Sequence, residues 1–254
     1  MELELSTFLI VCPLVFLAGL LDSIAGGGGL ISLPAYLFAG VPIHFALGTN
    51  KLSSIAGTAV ASYRYYKNKY TDLKLCAPWI LAALAGSALG ASLTLLVDER
   101  YLQRLLLAVL PVTAVYVFKK KRLDPPAGAP LSRSRSLVYG LGVSFFIGGY
   151  DGFFGPGAGT FLILLYCGVA KIDSPIAAGN AKLVNLASNL SSLVLFLCHR
   201  RTLIPLGLTA ALFSVIGAYI GSGLVIRKGT GVIRGAVLTV LALLFLKIAC
   251  DTFF

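Results

Sequence analysis

Asp22-Ser23-Ile24-Ala25-Gly26-Gly27-Gly28-Gly29 and its counterpart Asp151-Gly152-Phe153-Phe154-Gly155-Pro156-Gly157-Ala158-Gly159-Thr160 decide the fold, because each interrupts a long apolar run. Glycine at this density loosens the backbone and proline removes a donor, so neither stretch continues as ordinary helix. A break there bares the amides that open the next half-helix, where the dipole favours an anion. Close helix contact is the plainer use of glycine. Recurrence of the break in both halves of the chain favours the anion site.

Outward from these breaks the sequence is that of a polytopic membrane protein. Of its 254 residues 57% are hydrophobic and 12% charged, with a mean hydropathy of +0.90, against about 25% charged in soluble domains. Apolar runs predict membrane segments at 6–24, 29–41, 45–63, 76–97, 102–118, 137–153, 158–170, 175–198, 202–226 and 232–250. Those at 29–41 and 158–170 are short for a span and follow the glycine clusters, which suits half-helices or re-entrant pieces lining a wet cavity.

The formal charge of +11 follows topology and calls for no nucleic acid, since no recognition module accompanies it. If all ten segments cross, one side receives Arg64, Lys67, Lys69, Lys74, Lys119, Lys120, Lys121, Arg122, Arg133, Arg135, Lys171, Arg227 and Lys228. The other receives Arg100, Arg104, Arg200, Arg201 and Lys247. That bias places both termini outside and the loop from Lys119 to Arg135 in the cytoplasm. The first apolar run follows Met-Glu-Leu-Glu-Leu and does not read as a cleavable signal.

The basic loop divides the chain into 1–118, a linker 119–136 and 137–254, and the two flanking parts repeat one another. A shift of 129 places Asp22 on Asp151, Gly26 on Gly155 and Gly28 on Gly157. A shift of 131 places Ala46 on Ala177, Gly48 on Gly179, Lys51 on Lys182, Leu52 on Leu183, Gly86 on Gly217, Gly90 on Gly221 and Leu93 on Leu224. Five segments per copy make the second copy enter the membrane from the opposite side. The predicted fold is therefore all-α, two inverted repeats with broken helices, as in secondary transporters that bind substrate near the midplane.

Lys51 and Lys182 lie inside apolar stretches, where a charge costs about 2.5 to 3.5 kcal/mol and is functional by default. Each heads a polar stripe on one helical face: Lys51, Ser54, Thr58 and Lys182, Asn185, Asn189. Together the stripes could line a path for a small anion, with the lysines as point charges. Alternatively each lysine snorkels to an interface or pairs with an aspartate. Asp22 and Asp151 suit either a proton relay or a structural part, capping the next half-helix or pairing with a lysine.

Other chemistry finds no support. The aspartates lack the G-x-G-D context of an intramembrane aspartyl protease, and no Walker loop, dinucleotide fingerprint or nucleophile elbow occurs. His44 and His199 read as lacking acidic or cysteine partners, so no metal is expected. Cys12, Cys76, Cys167, Cys198 and Cys250 read as small hydrophobes. Gly86-x-x-x-Gly90 and Gly217-x-x-x-Gly221 read as helix packing.

The glycine clusters, Gly48-Thr49-Asn50-Lys51-Leu52 and Ala181-Lys182-Leu183-Val184-Asn185-Leu186-Ala187-Ser188-Asn189 closely resemble the TauE/SafE sulfite exporters, also called the 4-toluene sulfonate uptake permeases. The likeness spans nearly the whole chain. Locally the second copy has Gly179-Asn180-Ala181-Lys182 where the first has Gly-Thr-Asn-Lys. The resemblance implies a prokaryotic inner-membrane carrier, not an enzyme and without cofactor, moving sulfite, sulfonates or related organosulfur anions with protons.

On this reading the anion meets Gly26, Gly27, Gly28, Thr49, Asn50, Lys51, Gly155, Gly157, Asn180, Lys182, Asn185 and Asn189. Asp22 and Asp151 order the site or exchange protons. A passive anion channel and a non-transporting membrane scaffold are the alternatives, and self-association into a homodimer is left open.

Overall fold

The computed structural model describes residues 4–102, 104–105 and 131–228. Its helices are α1 (Leu5–Ala25), α2 (Gly29–Phe38), α3 (Ile43–Lys67), α4 (Leu73–Leu96), α5 (Arg133–Phe153), α6 (Ala158–Gly168), α7 (Ser174–Cys198) and α8 (Ile204–Lys228). No strand occurs among the described residues. The segment predicted at 232–250, nearly all of that at 102–118, and Cys250 lie outside the described residues. So does the linker up to residue 130, and its end is already helical from Arg133.

Four helices, α1, α4, α7 and α8, are long and apolar enough to cross a membrane by length and composition. The short α2 and α6 have 10 and 11 residues, about 15 to 17 Å at 1.5 Å per residue, roughly half a hydrocarbon core. They begin where the glycines predict a break: Gly26, Gly155 and Gly157 take φ of 77°, 94° and 81°, which ends one helix and redirects the chain into the next.

Burial runs opposite to that of a water-soluble globule. Leu81, Leu89, Leu93 and Leu96 of α4 and Leu208, Leu212 and Ile216 of α8 face outward, whereas Lys51, Lys182, Asp151, Asn185 and Asn189 are buried. Such a surface suits lipid as its solvent.

Equivalent positions in the two halves make equivalent contacts. A Cβ on Gly86 would collide with the Phe145 carbonyl, and one on Gly217 with that of Phe16. Gly90 and Gly221 approach the Gly149 and Leu20 carbonyls in the same way. Both glycine pairs are thus packing positions, seating α4 on α5 and α8 on α1.

Between these helix pairs run α3 and α7. Gly48, near the start of α3, abuts the Arg201 carbonyl past the end of α7, and Gly179, near the start of α7, abuts that of Tyr70 past the end of α3. The two helices are therefore antiparallel and pack against each other. One apolar cluster, with Tyr65, Trp79, Tyr166 and Ala178, fills the end toward the α3–α4 turn. A second, with Leu33, Leu47, Phe154 and Phe196, fills the other end. The polar stretches of α3 and α7 lie between the clusters.

The ends differ in charge. Arg133 pairs with Asp72 in the α3–α4 turn, Asp72 N–H donates to Asn180, and Ser136 donates to the Ala170 carbonyl. These contacts gather Arg64, Lys67, Lys69, Lys74, Arg133, Arg135 and Lys171 at one end. At the opposite end the sequence-based expectation for His44 is corrected. Its Nδ1 lies 3.2 Å from Glu99 and its Nε2 3.1 Å from the Thr94 carbonyl, contacts made by the last turn of α4 and the residues just beyond it, far off in sequence.

Candidate functional site

The break after α5 brings Asp151 against α3, and the break after α1 brings Asp22 against α7. Lys51 Nζ lies 2.9 Å from Asp151 Oδ1 and donates to the Asp151 backbone carbonyl at 2.6 Å. Lys182 Nζ lies 2.8 Å from Asp22 Oδ2 and also donates to the Asp22 carbonyl. Each pair joins the lysine of one half to the aspartate of the other, bonded to both carboxylate and backbone. Each lysine is thus ion-paired, the structural alternative weighed from sequence. Two ammonium groups and two carboxylates sum to zero charge.

The pairs differ in their surroundings. Asp151 also receives the Ser188 hydroxyl and the Asn185 amide on Oδ2, and Lys51 places its third donor on Asn189 Oδ1 at 2.9 Å. The Asp151 side chain is 4% exposed. Among the described residues Asp22, 19% exposed, receives only the Gly28 N–H on Oδ1, at 3.3 Å, besides Lys182. This contact reaches the residue that precedes α2, whose first turn has no side-chain cap, so the lysine pairing and not a helix cap is the structural part Asp22 plays here.

A cavity of about 20 Å³ lies between the pairs, lined by Asp22, Gly26, Gly29, Asn50, Lys51, Ser54, Thr58, Asp151, Gly155, Gly159, Asn185 and Asn189. It has room for about one water. A second cavity shares Asp22, Ser54 and Thr58 and continues past Gly28, Ser32 and Ser214 between α1, α3 and α8. Asn50 is buried and its Oδ1 has no hydrogen-bond partner among the described residues.

Of the expected site residues, Gly26, Asn50, Lys51, Gly155, Asn185 and Asn189 line the first cavity, as do both aspartates. Gly28 lines the second, and Lys182 lies behind Asp22, 1% exposed. Gly27 and Gly157 belong to the turns and line neither cavity. Thr49 and Asn180 are elsewhere: Thr49 Oγ1 accepts the Leu203 N–H and Asn180 Oδ1 the Asp72 N–H, both holding loops. Sequence reasoning omitted Ser188, one turn from Asn185 on the same face. Its place beside two other polar residues was the available signal.

Comparison with known proteins returns one family model, described as sulfite exporter TauE/SafE, which matches residues 11–248. A probable membrane transporter protein of Haemophilus influenzae is 34% identical over 252 residues, 99% of this chain and 98% of that one. ORF9 of a Sinorhizobium species, also called a probable membrane transporter protein, is 35% identical over 250 residues, 98% of this chain and 94% of its own. The Escherichia coli probable membrane transporter protein YfcA is 34% identical over 240 residues, covering 93% and 87%. No solved structure matches the chain.

Proposed function

The chain belongs to the TauE/SafE sulfite exporter family, whose model and named relatives describe membrane transporters, and from that premise we propose that it is a proton-coupled carrier of sulfite, sulfonates or related organosulfur anions in the prokaryotic inner membrane. It is built of two inverted repeats of five segments, with both termini and the His44 end outside and the basic end in the cytoplasm. Support for the orientation comes from the clustering of Lys and Arg at one end. Support for the repeat comes from the matched contacts of Gly86 with Gly217 and Gly48 with Gly179.

One observation carries the reading: a buried polar layer of glycine breaks and two cross-paired Lys–Asp couples, closed at either end by an apolar cluster. A cavity of about one water's volume is an occluded conformation. Loosening one cluster at a time opens the layer to one side and then the other, which is alternating access. The anion then sits among Lys182, Lys51, Asn50 and the amides that begin α2 and α6, where dipole and ammonium replace its water.

The test is uptake into liposomes holding the purified chain, with labelled sulfite or a small sulfonate under an imposed pH gradient. Accumulation against the substrate gradient is expected, with loss of uptake in Lys182→Ala. Flux that ignores the pH gradient would make the chain a passive channel, absence of any flux would make it a scaffold, and normal uptake by Lys182→Ala would remove that lysine.

A further inference from the structure

The two ion pairs do different jobs. Resting on the carrier reading above, we propose that Asp22 takes up the proton that travels with each anion and releases Lys182 to hold the anion, while Lys51–Asp151 stays closed as a fixed strut.

Charge balance comes first. The four groups of the layer already neutralise one another. A monoanion entering it would stand uncompensated in a medium of low dielectric, which is costly unless a carboxylate is neutralised. The balance closes with one proton: the Asp22 carboxylate binds H⁺ from the open side, its bond to the Lys182 ammonium is replaced by one to the anion, and both guests leave on the far side. One proton moves with one negative charge, so the cycle carries no net charge.

Geometry then selects the carboxylate. Asp151 has both oxygens engaged, by Lys51, Ser188 and Asn185, and Lys51 has all three donors placed. Asp22 keeps one long bond beyond its lysine and lines both cavities. Lys182 has two donors placed, both on Asp22.

Polar groups awaiting a partner collect on the same side. The side chains of Asn50, Ser54 and Thr58 line the Asp22 wall and make no hydrogen bond among the described residues, and Asn50 Oδ1 is buried there without a donor, an acceptor open to the protonated Asp22 carboxyl or the released Lys182 ammonium rather than to the anion. The charged and titratable groups facing Asp22 are Lys182 from α7, Lys51 and the Tyr65 hydroxyl from α3, and Asp151 from α5. The described parts of α2 and α6 contain no charged residue, and those of α8 only Arg227 and Lys228 at its end.

Methanesulfonate, an anion that does not itself titrate near neutrality, is the probe. It is added to the purified full chain in a weakly buffered solution with a pH indicator, and its Kd is followed from pH 5.5 to 8. The wild type should take up about one proton per bound anion, with Kd weakening toward tenfold per pH unit. Asp22→Asn should take up none and show a flat profile. Asp151→Asn should keep the slope whatever its affinity, and Asp22→Glu, which keeps a titrating group in place, should keep it with a moved midpoint.

Proton uptake surviving in Asp22→Asn, or a slope lost in Asp151→Asn or Asp22→Glu, overturns the assignment. Binding to the wild type without proton uptake also overturns it while leaving an anion carrier standing. If neither methanesulfonate nor sulfite binds or moves, the carrier reading falls first.

Discussion

Lys51–Asp151 and Lys182–Asp22 occupy matching places in the two halves, yet the first is wrapped in hydrogen bonds and the second is nearly bare. The difference originates in the stripes that flank them. On α7, Asn185, Ser188 and Asn189 all bond to the first pair. On α3 the corresponding positions are Ser54, Gly57 and Thr58. Ser54 and Thr58 are shorter and stop at the cavity wall, and Gly57 has no side chain and instead admits Ser214 of α8. A repeated scaffold thus produces one satisfied pair and one with capacity left over.

The largest expected effect tests the wrapped pair. Asp151→Ala leaves the Lys51 ammonium, 3% exposed, without its counter-charge, and removing one partner of a buried pair costs about 3–5 kcal/mol. The purified variant should melt well below wild type or fail to survive extraction. Asp22→Ala also strands a buried lysine, but it should lose less, because Asp22 is 19% exposed and gives up one long amide bond where Asp151 gives up those from Ser188 and Asn185. Equal losses in the two melting curves would erase the distinction between the pairs.

The scaffold, by contrast, should respond equally in both halves. Gly86→Ala and Gly217→Ala each drive a methyl into a backbone carbonyl, of Phe145 and of Phe16. Overpacking of this kind costs about 1–3 kcal/mol. The two variants should show matching drops in melting temperature. A marked inequality would mean that the halves differ in packing as well as in polar chemistry.

A finer comparison separates support from binding. Asn185→Ala removes a donor from Asp151 and should cost about 1–2 kcal/mol of stability. Asn50→Ala removes a group without a partner, so its melting temperature should stay near that of wild type. Its methanesulfonate Kd should weaken about tenfold, the worth of one hydrogen bond to a charged group, since the same amide offers Nδ2 as a donor to the anion and Oδ1 as an acceptor for the proton bound with it. Unchanged affinity in Asn50→Ala would take that residue out of the site.

Much of the fold was legible in the sequence because its signals are local. Apolar runs bounded by Gly26–Gly29, Gly155–Gly159, Pro42 and Asp173 set the helix limits to within a few residues. At the site, the lysines and aspartates were legible as membrane-depth charges and their pairing stood as an alternative, but which lysine takes which aspartate was not legible. Lys51 and Asp151 are 100 residues apart and Lys182 and Asp22 are 160 apart. Only the packing of α3 against α7 and the fold-back at the glycines bring them together. Thr49 and Asn180 misled for a related reason. They lie two residues before the lysines, and at about 100° per residue two helical positions point about 200° apart, which turns these two toward loops.

The smallest effect concerns the loops those two residues hold. Leu203 N–H to Thr49 and Asp72 N–H to Asn180 are equivalent bonds, but Asp72 does two further things: its side chain accepts the Leu75 N–H at the start of α4 and pairs with Arg133. Loss of an N-cap costs about 1 kcal/mol, whereas the Arg133 side chain is 63% exposed, and a pair so exposed contributes about 0–1 kcal/mol. Asp72→Ala should therefore lower the melting temperature by a few degrees and Arg133→Ala by less, with added salt shrinking the ion-pair part that both variants share and leaving the cap loss of Asp72→Ala. A larger loss in Arg133→Ala than in Asp72→Ala would mean that the basic end is held together by its ion pair more than by the cap.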